Sequence, residues 1–448
     1  MDAPPKRPSW SIGKMLLVAI GALLIGTLAI LGVSWYSAHA ALEEKLTALR
    51  AEGLPTNAAE LADFYKVPAG VPDTTDVWVG IIENIPSPYS AQSEPMEHLP
   101  IIGEGPTPIP PPGTEWAQLD AVEEFLAQYE SQLQAARGEA GSNGQVRFPI
   151  DFSAGFDTLL PHIGEVRHVT RLLQLDAHVA AHRGEDARVL LDICAIFALS
   201  EALRGEPIMI SQLVRKSVYA MSCETVGELM PHCDWSDDDL VALQAPIQMA
   251  HFDEEMARAI DGERAFSLMG VEQTTWGPLC VRNKLTAIDY FEHALKAFEG
   301  TPNKSLVIAD EIDQRLSECE KKDNASLLGL DRPFLHIALA FSAVIKAAVS
   351  SAARQRCFNA GIAAQRYRLQ HGKFPDALSD LTQELLGPHS QSVTKLIDPF
   401  DGNPLRYQQD GTQVIIYSIG RDAVDDGGDC VSNDDGSTPL DIGVVLPK

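Results

Sequence analysis

The sequence is short of positive charge: Lys and Arg number 35 against 62 Asp and Glu, a formal net charge of −27 over 448 residues. A surface that acidic repels phosphate backbones and sets nucleic acid aside as a partner. Cysteine pairs are missing as well. Cys194, Cys223, Cys233, Cys280, Cys319, Cys357 and Cys430 form no CxxC, which argues against a zinc ribbon or a thioredoxin-type site. The odd count leaves at least one thiol free or paired between chains. Motifs of catalysis are absent in the same way, and no GxSxG elbow occurs. Residues 300–305 hold Lys304 and Ser305 but lack the glycine before the lysine and carry Pro302, so they make no phosphate loop. Ser392 and Lys395 match SxxK only as a short pattern. His178 and His182 stand four apart without the glutamate of HExxH, and are expected to be exposed on a polar helix face. Glu165 and His168 form one ExxH where a carboxylate di-iron bundle needs two. No active site is legible, and a non-enzymatic role is the expectation.

One long apolar run is present. Residues 15–33 contain no charge and are followed by Trp35 and Tyr36. About nineteen helical residues nearly match a bilayer core, with the two aromatics where an interfacial belt places them. Lys6, Arg7 and Lys14 precede the run and Lys45 and Arg50 follow it, so the basic bias predicts the N-terminus inside and the bulk of the chain outside. Ala38-His39-Ala40 fits a cleavage site, but the run exceeds the roughly 7–15 residues of a signal peptide, which favours a retained anchor. Residues 334–353 are also apolar, yet His336 and Lys346 interrupt them. A lysine at a helix centre costs about 2.5–3.5 kcal/mol on insertion, so a buried core helix is expected there.

Between these two runs, residues 37–94 read as short proline-punctuated helices, including 57–65. Pro100, Pro106, Pro108, Pro110, Pro111 and Pro112 then mark an extended spacer. Helical periodicity continues for about two hundred residues, with helices expected at 116–136, 165–183, 185–204, 208–230, 236–260 and 285–298. No repeat period recurs, so the body reads as irregular α-hairpins. Residues 299–333 are polar and charged and are expected to leave the core.

Near the C-terminus the pattern changes. Asp410-Gly411 joins two alternating segments, 405–408 and 413–417, as a type I′ hairpin signal. Residues 420–441 follow with seven aspartates (Asp422, Asp425, Asp426, Asp429, Asp434, Asp435 and Asp441) against Arg421 alone. By composition this is a solvated acidic loop. The glycines at 427, 428 and 436 would also let it fold round Ca²⁺, which takes 6–8 hard oxygens. The spacing is not that of an EF-hand, since Val424 stands third after Asp422.

Several motifs in order carry a likeness. Tyr367-Arg-Leu-Gln-His-Gly372-Lys-Phe374-Pro375, Asp398-Pro399-Phe-Asp-Gly402-Asn-Pro404-Leu-Arg-Tyr407 and Tyr417-Ser418-Ile-Gly420-Arg-Asp422 before Gly427-Gly428 resemble the soluble end of type II secretion major pseudopilins. The likeness covers about residues 352–443. It implies a small α/β module and a calcium loop in which Asp441 is a ligand. The partner aspartate two positions earlier is Pro439 here, leaving its place to Asp434 or Asp435. The N-terminus departs from that family: the fifth residue after Gly13 is Val18, where a prepilin has glutamate. The whole arrangement also resembles uncharacterised single-pass bacterial membrane proteins, a likeness that implies no activity.

The expected fold is therefore mainly α. A cytoplasmic tail (1–14) and a transmembrane anchor (15–36) precede short helices and a Pro-rich spacer (37–114). An α-helical domain (115–351) and a pseudopilin-like α/β module with a β-hairpin (352–448) follow. The expected role is a scaffold or binding protein of the bacterial inner membrane, with the bulk of the chain periplasmic, a protein partner in the envelope and Ca²⁺ at the acidic loop. Two alternatives stand beside it: an extracytoplasmic hydrolase with a site assembled in the helical domain, and an accessory component of a type II secretion or pilus-like system.

Overall fold

The computed structural model describes residues 12–83, 85, 98–103, 108–250, 252–274, 278–323, 332–387, 396–430 and 441–448. It is mainly helical. In chain order the helices are α1 (Ile12–Ala51), α2 (Ala58–Phe64), α3 (Thr75–Glu83), α4 (Leu119–Ala127), α5 (Glu130–Gly138), α6 (Pro161–Arg183) and α7 (Asp186–Ala202). Then come α8 (Met209–Leu229), α9 (Asp237–Met249), α10 (Phe252–Thr274), α11 (Pro278–Leu295), α12 (Pro302–Asp323), α13 (Arg332–His371) and α14 (Gln383–Leu386). One antiparallel sheet, in the order β1 (Arg406–Gln409), β2 (Gln413–Ser418), β3 (Ile442–Pro447), closes the chain. Among the described residues only α1 is long and apolar enough to cross a membrane, and none of its apolar window is buried in the body.

The hairpin α6–α7 turns at Gly184, which takes a left-handed φ of 70°, a conformation costly for any side chain with a Cβ. With α3, α4, α5 and α8 these helices enclose one core, including Trp78, Phe125, Leu133, Leu172 and Leu199. The segment before residue 115 is thus part of the packed body. Even the proline stretch docks: Ile109 packs on that core, and the Pro110 carbonyl lies 2.8 Å from His182 Nε2. Pro106 lies outside the described residues.

Four expectations are corrected. The helix expected at 116–136 is two, because Tyr129 leaves helical geometry and turns inward, setting its ring edge-on to Phe125. The helix expected at 236–260 ends at Met249, where Ala250 becomes extended and Gln355 Nε2 donates to the Ile247 and Ala250 carbonyls. Residues 302–323 do not leave the core. They form α12, whose Ala309 and Ile312 pack with Phe341, Val344 and Ile345 of α13 while Asp310 and Glu311 are exposed. Finally, His178 is buried, with Nε2 3.2 Å from Glu228, and His182 is half-buried on Trp116. The helix expected at 334–353 forms within α13, and among its described side chains Phe341, Val344, Ile345, Ala348, Val349 and Ala353 are buried. Lys346 there is answered by Asp310 at 3.1 Å and Asp313 at 2.9 Å.

Helix α13 runs straight through residue 351, the boundary expected from sequence. Its stretch from Cys357 to Ala364 packs in one core with α6–α9 on one side and Val414, Ile416, Val444 and Leu446 of the sheet on the other. Gly361 permits the approach, since a Cβ there would meet Val444 Cγ1 at 2.6 Å. The expected hairpin forms, but Gly411 does not take the positive φ of a type I′ turn. Asp410 closes the turn instead, its Oδ1 accepting from the amides of Thr412 and Gln413.

The one charge on the buried stretch of α7 has a specific answer. Asp192 and Asp176 are both fully buried; Arg137 donates from Nε to Asp192 at 2.6 Å and from Nη2 to Asp176, which Arg188 also grips. Burial, and then the neighbouring Asp176, push the Asp192 carboxyl well above the usual range. Asp176 thus meets two arginines and Asp192 only one. Asp176→Asn should cost about 3–5 kcal/mol in denaturant unfolding, the scale for breaking a buried pair, and Asp192→Asn distinctly less. The reverse order would show that Asp192, not Asp176, is the carboxylate on which this joint depends.

Candidate metal centre

The acidic loop begins where β2 ends, and one buried carboxylate sets its start. Asp398 is fully buried and accepts from Ser418 Oγ (2.8 Å), Ile419 N (3.0 Å), Phe400 N (2.9 Å) and Arg406 Nη1 (2.7 Å). It thereby staples the turn 398–405 to the last residues of β2. Arg406 carries the network outward: Nη2 donates to Asp401 Oδ2 at 2.5 Å, and Nε lies 3.8 Å from Asp425 Oδ2. Burial alone would raise Asp401, but its bonds from Arg406 and Asn403 outweigh this and hold it down to about 2.

From there the loop folds back over the outer face of the sheet. Gly428 packs on Ile415 and Tyr417, and Tyr417 Oη donates to Asp425 Oδ1 at 2.9 Å. Burial and then that carboxylate push the Tyr417 phenol up to about 12. Asp425 Oδ1 also accepts from Gly427 N, and Asp422 Oδ1 from Val424 N. The two ends of the loop meet where Asp441 N donates to the Asp429 carbonyl at 3.1 Å.

Asp441 is the residue that stands apart. It is 1% exposed; Oδ2 accepts from Gly428 N at 2.8 Å, the Asp426 amide also faces the carboxylate, and Oδ1 has no hydrogen bond of normal geometry among the described residues. Its carboxyl is raised first by burial and further by the fields of Asp425 and Asp426, against the amides of Gly428 and Asp426. Asp426 is raised likewise, by desolvation and then by Asp422, Asp429 and Asp425. So Asp426 lies in the fields of Asp422, Asp425 and Asp429, and Asp441 in those of Asp425 and Asp426, while Asp434 and Asp435 fall outside the described residues. Among the described residues no three His, Cys, Asp or Glu side chains already stand in a ligand shell. Chemically, the donor set is all hard oxygen, and a buried unpaired carboxylate oxygen among repelling carboxylates suits a divalent cation such as Ca²⁺.

Sequence reasoning identified these aspartates but missed Asp398, Arg406 and Tyr417, which position them. The signal for Asp398 was in its motif, Asp-Pro before a Gly-x-Pro turn. Nothing local marks Tyr417 as the partner of Asp425.

Elsewhere, two cavities are open. One of about 190 Å³ is lined by Phe252, Asp253, Glu254 and Gln355; one of about 550 Å³ lies between Trp235, Arg368, Leu369 and Lys448. Neither is lined by the buried trio in which Glu206 Oε1 is 2.9 Å from His162 Nε2 and accepts from Tyr65 Oη at 3.3 Å. No family model, curated protein or solved structure matches the chain.

The raised Asp441 carboxyl yields a pH prediction for the metal-free protein. A carboxyl whose folded pKa lies above its unfolded value of about 3.9 favours the fold while protonated, and that contribution is lost as pH rises through the folded value. In chelator at neutral pH, Asp441→Asn should therefore raise the melting temperature, and the gain should vanish in acid. A lower melting temperature at neutral pH would show that the carboxylate stabilises the fold without a metal.

Proposed function

We propose that this chain is a membrane-anchored scaffold or binding protein of the bacterial envelope whose C-terminal loop orders round one Ca²⁺ and presents the adjoining sheet to a protein partner. The observation that carries the reading is the buried, unpartnered Asp441 Oδ1 at the closure of a loop crowded with carboxylates. Such a group costs free energy until a cation or proton meets it. The resemblance of residues 352–443 to major pseudopilins supports the same ion at the same aspartate. It also favours, as a second reading, an accessory place in a type II secretion or pilus-like system. The hydrolase reading gains least, because the buried Tyr65–Glu206–His162 trio opens to neither cavity. The anchor is α1, with the short tail inside and the body in the periplasm, as the basic bias before the span favours.

Two measurements test this. Extracellular-type calcium sites have dissociation constants of about 10⁻⁴–10⁻³ M, and a ligand at one hundred times its constant adds about 2.7 kcal/mol. The detergent-solubilised full chain should melt higher with calcium and lower with chelator, and Asp441→Asn should abolish the calcium response. An unchanged melt, or an equal shift with magnesium, means the loop is only an acidic surface. For topology, an enzyme reporter active only outside the cytoplasm should work when fused after Lys448, whose side chain is exposed. Activity from a cytoplasmic reporter alone would refute the orientation.

A further inference from the structure

Helix α1 does not stop where the apolar run stops. It continues to Ala51 as one helix, and its character changes at Ala38: residues 22–37 are exposed, whereas Ala38, Leu42, Leu46 and Leu49 share a cluster with Leu268 of α10 and Val281, Leu285 and Ile288 of α11. That spacing is one face of a helix. Lys45 Nζ reinforces the face with Asp289 at 3.0 Å and Glu292 at 2.9 Å, and Arg50 Nε binds Glu60 at 3.0 Å.

Two observations set the direction of the neighbours. Near the C-terminal end of α1, Glu52 is close enough for its charge to act on Asp261 of α10. Towards the membrane, Ala38 and Leu42 share their cluster with Val281 and Leu285. So α10 runs down α1 towards the bilayer, and α11 returns alongside α1. With Lys45 level with Asp289, Ala38 is level with exposed Arg282, seven residues earlier on each helix.

Height follows from helix rise. Ala38 lies five residues past Val33, about 7.5 Å at 1.5 Å per residue. The headgroup layer on each side of the core is about 5–7.5 Å deep. We infer that the body is clamped to its own anchor helix, so that the first turn of α11, beginning at Pro278 and presenting Arg282, rests on the phospholipid headgroups. An exposed guanidinium there suits headgroup phosphates. The clamp gives the body one height and one orientation, where a flexible tether would let it tumble. This inference rests on α1 being a membrane anchor.

The test uses the full chain reconstituted into vesicles of phosphatidylethanolamine and phosphatidylglycerol. A benzophenone amino acid replaces Arg282 or, as the control, exposed Ala59, next to Glu60, whose partner Arg50 lies about 18 Å beyond Ala38 along α1, away from the membrane. After irradiation, phospholipid should be captured several-fold more at 282 than at 59. A Gly-Ser insertion after Ser37, which keeps both anchor and clamp contacts but uncouples them, should erase the difference. Protein that fails to float with the vesicles overturns the anchor reading and this inference together. Floating protein with equal capture at both positions overturns the inference and leaves the anchor standing. A preference for 282 that survives the insertion also overturns it, because the contact would not depend on the clamp.

Discussion

The C-terminal half of this protein depends on one helical face, that of α13 from Cys357 to Arg366. Its small residues, Ala360, Gly361, Ala363 and Ala364, let the helical body and the sheet approach from opposite sides. Arg366 completes the joint by binding Asp237 of α9 at 2.8 Å and 3.0 Å and the Leu385 carbonyl at 3.2 Å. A small sheet needs a packed apolar face to be stable. Packed on α13, it becomes the floor on which the acidic loop lies, so the geometry at Asp441 traces back to helix packing in the body.

Buried charge is handled differently at the two ends of the molecule. In the helical body, Asp176 and Asp192 are met by Arg137 and Arg188, and Asp398 is met by Arg406, Ser418 and two amides. These carboxylates lock elements together. Asp441 is equally buried and, like Asp192, has one oxygen without a hydrogen bond, but the charged groups acting on it are the acids of the loop and not an arginine. A site that binds a cation must keep such a group uncompensated, because an internal arginine would occupy the position of the ion. The arginine that meets Asp192 and the acids that surround Asp441 separate the structural aspartates from the candidate ligand.

Fold elements with strong local patterns were legible. The α6–α7–α8 run was readable because Gly184 and Gly205-Glu206-Pro207 punctuate it, and the hairpin because Asp410-Gly411 does. β3 was not foreseen, since residues 442–447 pair only through a partner strand a loop away. Residues 302–323 looked like an excursion because their charges outnumber their apolar residues, although one face meets α13. For the candidate site, the identity of the aspartates was plain from composition, whereas their supports were not.

The sequence by itself determined the apolar N-terminal run, the helical character of the body, and the concentration of carboxylates after residue 420. These are local properties, set by hydropathy, periodicity and charge over a few turns of chain. Only the tertiary structure decided that α13 serves both the body and the sheet, that α1 continues into a grip by α10 and α11, and that Asp441 is buried among acids of the loop rather than against an arginine. Each of those depends on which residues distant in sequence come into contact. Burial and the pairing of charges are properties of that packing, so an aspartate in sequence carries no mark of whether an arginine or an open oxygen shell awaits it.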